Sequence, residues 1–282
     1  MTFESFKQWL IARGRTPETA SGYASDVMAA QLHPGGPLGR LRMRTLAPKT
    51  LRRTMASLRA YCKFTKDAVL LEQISDIRLP PPARKLVKVP LTKEQWLAVV
   101  KEINAADYLS HPERAALGIM SVRGLRVGDV LRLERAKVVE AVRTGELSYK
   151  GKGSKWIICG TKAFSAYLEL FAREDDWEYV CDLISVSARG NKMKSAGQQL
   201  SRALKTVGEH IGISRDDMYP HRLRRTYATE FLAAVGGDLE KLRQAMKWSD
   251  IQTAAGYADH SRTKELENIG DNLLLTPTPG DK

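Results

Sequence analysis

The sequence predicts a mainly α-helical protein of two domains, with one small antiparallel β-sheet in the second domain. Three observations support this fold class. Apolar side chains recur every three or four positions through residues 3–66, which is the period of an amphipathic helix. That periodicity stops at residues 76–90, where four prolines fall. Farther on, residues 136–160 contain short runs rich in β-branched residues, separated by turn residues.

The bulk composition favours a folded protein with a polyanionic partner. The chain has 282 residues, of which 43% are hydrophobic, so two domains of moderate size can each build a core. The net charge is +13 and the calculated pI is 9.7. Such an excess of positive charge indicates nucleic acid as the simplest partner. A basic protein without such a partner remains the alternative on charge alone.

The positive charge is concentrated in the first third of the chain. Residues 1–91 contain 16 lysines and arginines against 6 aspartates and glutamates, a net charge of +10. Residues 92–282 contain 29 against 26, a net charge of only +3. The N-terminal domain is therefore expected to supply most of the attraction to a polyanion.

The cysteines and the N-terminus indicate a reducing, cytoplasmic setting. Cys62, Cys159 and Cys181 are odd in number and far apart, which supports neither a disulfide framework nor a zinc site, and no metal or other cofactor is expected. The first ten residues lack the apolar segment of a signal peptide, and the chain contains no apolar run of 18 residues. We therefore expect no membrane partner.

The first domain, residues 1–75, is predicted to contain three main helices, over residues 3–13, 16–30 and 48–66. The third helix has an apolar stripe at steps of three and four, formed by Leu51, Met55, Leu58, Tyr61 and Phe64. Its basic residues are the candidate DNA ligands of this domain: Arg52, Arg53, Arg59, Lys63 and Lys66. A solvated basic face without a ligand is the alternative interpretation.

Residues 76–90 are predicted to form an extended, basic linker between the two domains. Its prolines disfavour a helix, and Arg84 and Lys85 are placed to contact a DNA backbone as the linker crosses it.

The second domain, residues 91–282, is predicted to be helical around one small sheet. The predicted helices cover residues 93–103, 112–122, 127–133, 161–171, 196–211 and 262–275. The predicted strands cover residues 136–142, 145–150 and 155–160, with a further short strand at 179–183.

The stretch from Tyr219 to Tyr257 is predicted to form two or three short helices and a phosphate site. Pro220 suits the first position of a helix. His221 and Arg224 are three residues apart, so they share a helix face close to an N-terminus that already favours anions. The Gly236-Gly237 pair ends this helix, and the last helix of the stretch carries Tyr257.

Metal-free transfer of a phosphodiester needs a nucleophile, cations on the non-bridging oxygens, a base and an acid. The sequence offers such groups on separate elements: Arg126, Lys152, His221, Arg224, Trp248 and Tyr257. Several have rivals nearby, namely Arg123 for Arg126, Lys150 and Lys155 for Lys152, and Arg225 for Arg224. Taken alone, a tryptophan such as Trp248 is more often a core residue, and a tyrosine such as Tyr257 a packing residue.

Four sequence motifs of the second domain together resemble the catalytic domain of the tyrosine recombinases, the phage-integrase family that includes the Xer resolvases. They are GLRVGDVLRL at 124–133, GKGSKWII at 151–158, PHRLRRTYAT at 220–229 and WSDIQTAAGY at 248–257. In the first domain, TPETASGYASDV at 16–27 resembles the first long helix of the family's core-binding domain. Each motif is weak alone, but four in order form a specific pattern.

The resemblance implies a role for each candidate residue. Arg126 and Arg224 would clamp the scissile phosphate, and Tyr257 would attack it to form a 3′-phosphotyrosine. Lys152 would protonate the leaving 5′-oxygen, and His221 would take or relay the tyrosine proton. Trp248, where most of the family has histidine, would donate its indole N–H to a phosphate oxygen. Asp129 would orient His221 or an arginine. Apart from the resemblance, Lys155 flanks the turn at a strand-like position, where it would face the DNA backbone or solvent, and we take it as a candidate DNA ligand.

The resemblance also implies partners. The chain would act on a double-stranded DNA recombination site as a homo-tetramer, through a Holliday junction and without ATP or metal. The stripe of Leu266, Ile269 and Leu273 belongs either to its own core or to a helix donated to a neighbouring subunit, which the family favours. A type IB topoisomerase and a non-catalytic DNA-binding protein of this fold are the alternatives. Because no further domain precedes residue 3, we expect a recombinase without distant arm sites.

Overall fold

A computed structural model of the chain describes residues 2–43, 45–80, 89–151, 156–185 and 191–257. It divides into two compact units, residues 1–87 and 88–282. The predicted fold class is confirmed, because the described residues form helices and one two-stranded antiparallel sheet. None of the described helices is long and apolar enough to cross a membrane.

The first unit is built from helices alone in its described part. They are α1 (Phe3–Ala12), α2 (Pro17–Gln31), α3 (Gly36–Leu41), α4 (Pro48–Thr65) and α5 (Ala68–Ser75). The two short helices α3 and α5 were not predicted. Glycines and a proline at the start of α3 are typical of a loop, but a proline in this position also suits a first helical turn.

The core of the first unit is lined by the apolar faces of these helices. Phe6 of α1, Val27 of α2, Leu58 of α4 and Ile74 of α5 are all fully buried. The predicted apolar stripe of α4 packs against this core. Consequently, the opposite face of α4 carries the basic side chains.

In its described part, the second unit surrounds a larger core with nine named α-helices. They are α6 (Lys93–Ala105), α7 (His111–Arg123), α8 (Val127–Leu131), α9 (Arg135–Thr144), α10 (Ser165–Ala172), α11 (Val180–Ile184), α12 (Lys192–His210), α13 (Pro220–Ala234) and α14 (Leu239–Ala245). Helices α6 and α7 each begin with a capping box, in which the cap side chain and the third residue bond to each other's backbone N–H groups.

The sheet consists of β1 (Glu146–Lys150) and β2 (Trp156–Gly160), paired so that Lys150 faces Trp156. The prediction of a third strand at residues 136–142 was wrong, because these residues lie in α9. That segment is rich in valine, but its Val138 and Ala141 lie one helical turn apart and are both buried. Gly145, at φ 77, then ends the helix in the left-handed conformation that glycine favours.

The predicted strand at residues 179–183 was also wrong. Tyr179 forms one isolated bridge to Glu134, and the chain then enters α11. The carboxylate of Asp182 accepts a hydrogen bond from the Tyr179 N–H at 2.9 Å, which caps the start of that short helix.

The stretch from α13 to Tyr257 packs as a small core of its own. Residues 251–257 are helical, and the Asp250 carboxylate accepts a hydrogen bond from the Gln252 N–H at 2.8 Å, so Asp250 caps this last helix. Asp238 caps α14, because its carboxylate accepts hydrogen bonds from the Glu240 and Lys241 N–H groups. The buried members of this core are Ala228, Leu232, Leu242, Met246, Trp248, Ala254 and Tyr257. The predicted helix at residues 262–275 lies outside the described residues.

Candidate active site

A cleft of 410 Å³ lies where the starts of α8 and α13 meet. Its lining combines three arginines, a histidine and one buried carboxylate with small apolar residues. These residues are Arg126, Val127, Gly128, Asp129, Arg132, Pro220, His221 and Arg224. Three of the predicted catalytic residues therefore face one space, although Arg126 and His221 are 95 positions apart in the chain.

Asp129 orients two of the cleft's guanidinium groups. It is only 2% exposed, and its Oδ2 lies 3.5 Å from Nη1 of Arg126. Its Oδ1 lies 3.2 Å from Nη2 of Arg132. Because the buried carboxylate contacts both arginines, it fixes their side chains at the edge of the cleft. The predicted partner of Asp129 was His221 or an arginine, and the structure places the two arginines on it.

Arg224 is the most buried cation of the cleft, at 5% exposure. Its Nη1 donates to the Gly124 carbonyl, and its Nη2 donates to the Met246 carbonyl at 3.3 Å. Burial, together with the nearby charge of Arg126, lowers the pKa of Arg224 to about 10. The guanidinium therefore stays charged at neutral pH, and an anion in the cleft would relieve the cost of burying it.

His221 lies in the first turn of α13, exposed and on the same cleft as Arg224. The helix begins at Pro220, so the positive end of its dipole lies on the same side. An imidazole, a guanidinium and a helix N-terminus together make a site with the charge and the donors that a phosphate requires.

The structure separates Arg126 from its rival Arg123. Nη1 of Arg123 donates to the Tyr227 hydroxyl at 2.8 Å, and Arg123 does not line the cleft. Gly124 turns the chain between the two arginines at φ 65. A Cβ at this glycine would lie 2.7 Å from the Tyr227 ring, so the turn requires glycine for both its conformation and its space.

Trp248 and Tyr257 lie next to the cleft as a stacked pair. They are 6% and 7% exposed, with ring centroids 5.0 Å apart and planes inclined by 25°. Cζ of Arg224 lies 5.6 Å from the Trp248 ring centroid. Neither aromatic residue lines the cleft itself. Arg224 is therefore the link between the cleft and the aromatic pair.

Arg225, the rival of Arg224, contacts the aromatic pair from another side. Its Cζ lies 5.3 Å from the Tyr257 ring centroid, and Arg225 does not line the cleft. The two adjacent arginines thus have different surroundings, with only Arg224 facing the predicted phosphate site.

Two predicted site residues, Lys152 and Lys155, lie outside the described residues. The strands that flank them end at Lys150 and resume at Trp156. At that end of the hairpin, Nζ of Lys150 lies 5.2 Å from the centroid of the exposed Trp156 ring.

In the first unit, the predicted DNA ligands on α4 differ in their surroundings. Arg59, Lys63 and Lys66 are exposed. By contrast, Arg53 makes a bidentate ion pair with Asp26 at 2.7 and 2.8 Å, which also raises the pKa of Arg53. Nη2 of Arg52 donates to the Pro80 carbonyl at 2.7 Å. Arg84 and Lys85 lie outside the described residues.

Sequence reasoning missed Arg132 as part of the cleft. The available signal was its spacing, since a residue three positions after Asp129 on a helical segment can pair with that carboxylate. Within the described ranges, no group of three or more His, Cys, Asp or Glu side chains is placed to hold a metal ion.

Comparison with known proteins gives a consistent picture. Residues 90–264 match the model of the phage integrase family. Over 235 residues the chain is 26% identical to the tyrosine recombinase XerC of Bradyrhizobium diazoefficiens, covering 79% of this chain and 70% of that protein. It is 25% identical over 235 residues to the tyrosine recombinase XerD of Halalkalibacterium halodurans, covering 79% and 75%.

Solved structures share the fold at lower sequence identity. The XerH site-specific recombinase bound to palindromic difH substrate has a TM-score of 0.65 at 14% identity, covering 95% of this chain and 84% of that one. Lambda integrase bound to DNA has a TM-score of 0.63 at 16% identity, covering 93% and 96%.

Proposed function

The chain belongs to the phage integrase family, as a tyrosine recombinase that cleaves and rejoins DNA, and we propose that it does so at specific duplex sites through a 3′-phosphotyrosine intermediate. One observation carries the proposal: Arg126, His221 and Arg224 line one cleft, and Arg224 also contacts the ring of Trp248, on which Tyr257 is stacked. This arrangement supports Tyr257 as the nucleophile and the two arginines as the phosphate clamp.

In the proposed reaction, Arg126 and Arg224 bind the non-bridging oxygens of the scissile phosphate. Asp129 holds Arg126, while two backbone carbonyls hold Arg224, so the guanidinium groups are positioned before DNA arrives. Charge that develops on the phosphoryl oxygens in the transition state then meets fixed donors, which is the most effective form of electrostatic catalysis. Arginine suits this role because its planar fork matches phosphate oxygens.

The Tyr257 hydroxyl oxygen attacks the phosphorus, and the bond from phosphorus to the 5′-oxygen breaks. His221 takes or relays the phenol proton, and Lys152 protonates the leaving 5′-oxygen. Trp248 donates its indole N–H to a phosphate oxygen. The phosphotyrosine keeps the phosphodiester's bond energy, so a 5′-hydroxyl can reverse the attack and rejoin the strand without ATP or metal.

The surroundings of Tyr257 support a movement of this residue before it attacks. Its ring is 7% exposed, stacked on Trp248 and absent from the cleft lining. We propose that the helical residues 251–257 shift when protomers assemble on DNA, which carries the phenol to the clamped phosphate. In this proposal, four protomers exchange the segment at residues 262–275 and pass through a Holliday junction.

The basic face of α4 is proposed to bind the DNA backbone or major groove. Arg59, Lys63 and Lys66 are exposed along it, and residues 1–91 carry +10 of the chain's net charge of +13. Arg52 and Arg53 have intramolecular partners, so we assign them a smaller share of the contact. Arg84, Lys85 and Lys155 are proposed to contact the backbone elsewhere.

Covalent trapping tests this function directly. The full chain is incubated with a randomised library of nicked duplexes, and adducts that survive denaturation are recovered and sequenced. A recombinase enriches one site, whereas a type IB topoisomerase traps DNA with little sequence preference and relaxes any supercoiled plasmid. A non-catalytic DNA-binding protein retains DNA without any covalent adduct, which would refute the proposal.

A further inference from the structure

Lys247 adopts a backbone conformation that residues with a side chain rarely adopt, at φ 53. It follows the end of α14, where its N–H bonds to the Gln244 carbonyl at 3.2 Å and the Trp248 N–H bonds to the Arg243 carbonyl at 3.0 Å. These two bonds define a Schellman motif, in which glycine is the usual residue at the position of Lys247. A lysine there costs backbone strain that a glycine would avoid.

Arg224, the buried arginine of the cleft, contacts the residues on both sides of Lys247. Nη2 of Arg224 donates to the carbonyl of Met246, the residue before Lys247. Cζ of Arg224 lies 5.6 Å from the ring of Trp248, the residue after it. The backbone of Lys247 is therefore held beside the proposed phosphate clamp, where conformational strain in proteins is often functional.

The side chain of Lys247 adds positive charge to a small cavity beside Arg224 that no described carboxylate lines. Lys247 lines a small cavity with Arg123, Arg224, Tyr149 and Cys159, and no carboxylate lines that cavity. Lys247 is exposed, and no described carboxylate forms an ion pair with it. The cavity holds about 10 Å³, room for one water, so an anion would bind at the exposed side of Lys247.

We propose that Lys247 binds a backbone phosphate of the DNA next to the scissile phosphate, and that this contact is the reason for a lysine in a turn that favours glycine. The inference rests on the proposed function, because it needs DNA in the cleft. It assigns a DNA-binding role to a residue outside the motif positions of the clamp.

The test combines DNA affinity with stability. Lys247→Gly removes both the charge and the strain, Lys247→Met removes the charge alone, and Lys247→Arg keeps the charge. The probe is the duplex recovered by covalent trapping, and binding is measured in the Tyr257→Phe background over a range of salt concentrations. Asp176→Gly is the matched control, because Asp176 is exposed and also has a positive φ, at 56.

We expect Lys247→Gly and Lys247→Met to weaken binding by about tenfold and to reduce the slope of log Kd against log salt by about 0.9, the value for one lost phosphate contact. Lys247→Arg retains the slope. The melting temperature rises for Lys247→Gly and for Asp176→Gly. The DNA affinity of Asp176→Gly stays at the wild-type value.

A Lys247→Gly protein that is more stable and binds with the wild-type slope and affinity overturns the inference, since the lysine is then only tolerated in the turn. The same holds if Lys247→Met retains the wild-type slope. A wild-type protein that traps no DNA refutes the proposed function instead, so the two failures are distinguishable.

Discussion

The ring of Tyr257 lies on the indole of Trp248, with centroids 5.0 Å apart and planes inclined by 25°. The candidate nucleophile therefore lies beside the proposed clamp, although neither ring lines the cleft. In the proposed reaction the clamp forms before DNA binds, and Tyr257 reaches the phosphate only when protomers assemble. A lone protomer would then bind DNA without cutting it.

Trp248 is expected to have two separable roles, one in packing and one in chemistry. Trp248→Ala removes the surface on which Tyr257 is stacked, and we expect it to destabilise the protein by about 3–5 kcal/mol. Trp248→Phe keeps an aromatic surface but lacks the indole N–H, so it should fold while cleaving more slowly, by about tenfold or more. Thermal unfolding and single-turnover cleavage of the trapped duplex measure the two effects. Wild-type cleavage by Trp248→Phe would contradict the proposed N–H contact.

We expect that no other residue can replace Gly124, because it turns the chain at a positive φ and its carbonyl accepts a hydrogen bond from Arg224. Gly124→Ala combines a positive φ with a Cβ 2.7 Å from the Tyr227 ring, and it displaces the carbonyl that holds Arg224. We expect a stability loss of about 2 kcal/mol or more together with loss of cleavage. Gly145→Ala is the control, because Gly145 also has a positive φ but nothing within 4 Å of an added Cβ. Equal losses in both variants would show that crowding at Gly124 is unimportant.

Two arginines on the same helix should separate stability from DNA binding. Arg53→Met leaves the Asp26 carboxylate, 8% exposed, without its bidentate partner, so we expect a loss of about 1–3 kcal/mol in urea denaturation. Arg59→Met, at an exposed position, should leave stability within about 0.5 kcal/mol and weaken DNA binding. The reverse pattern would mean that the basic face of α4 does not bind DNA.

Inorganic phosphate should stabilise the free protein through the cleft. Burial and the charge of Arg126 lower the pKa of Arg224 to about 10, so the charged form costs stability at every pH below about 10, and this cost fades as the pH rises above that value. A bound phosphate offsets the cost and raises the melting temperature at neutral pH. Arg126→Gln should reduce the phosphate-dependent shift. A shift of wild-type size in this variant would place the bound phosphate outside the proposed clamp.

The main architecture could be predicted from the sequence, whereas the strands predicted at residues 136–142 and 179–183 were wrong. In the sequence of α4, apolar residues recur at helical spacing and a proline stands at the start. In the structure, the helix begins at Pro48 and buries its apolar residues. Residues 136–142 were misjudged because their valines favour strands locally, while burial of Val138 and Ala141 against the core of the second unit favours a helix. Tertiary packing decides between such competing local preferences.

The site was predictable as residue types but not as an arrangement. Sequence motifs indicated Arg126, His221 and Arg224, and the cleft contains all three. The contact of Asp129 with Arg132 and the strained backbone of Lys247 arise from how separate elements pack, and spacing along the chain does not reveal the stack of Tyr257 on Trp248. These features depend on distances between segments.

Covalent trapping by Tyr257→Phe on nicked duplex tests most directly the proposal that Tyr257 is the nucleophile. We expect the variant to bind the recovered site with wild-type affinity and to form no adduct that survives denaturation. The reason is that the substitution removes only the attacking oxygen. Tyr149→Phe is the matched control, since it removes another buried tyrosine hydroxyl near Arg224 and should still form adducts. An adduct formed by Tyr257→Phe would contradict the central claim.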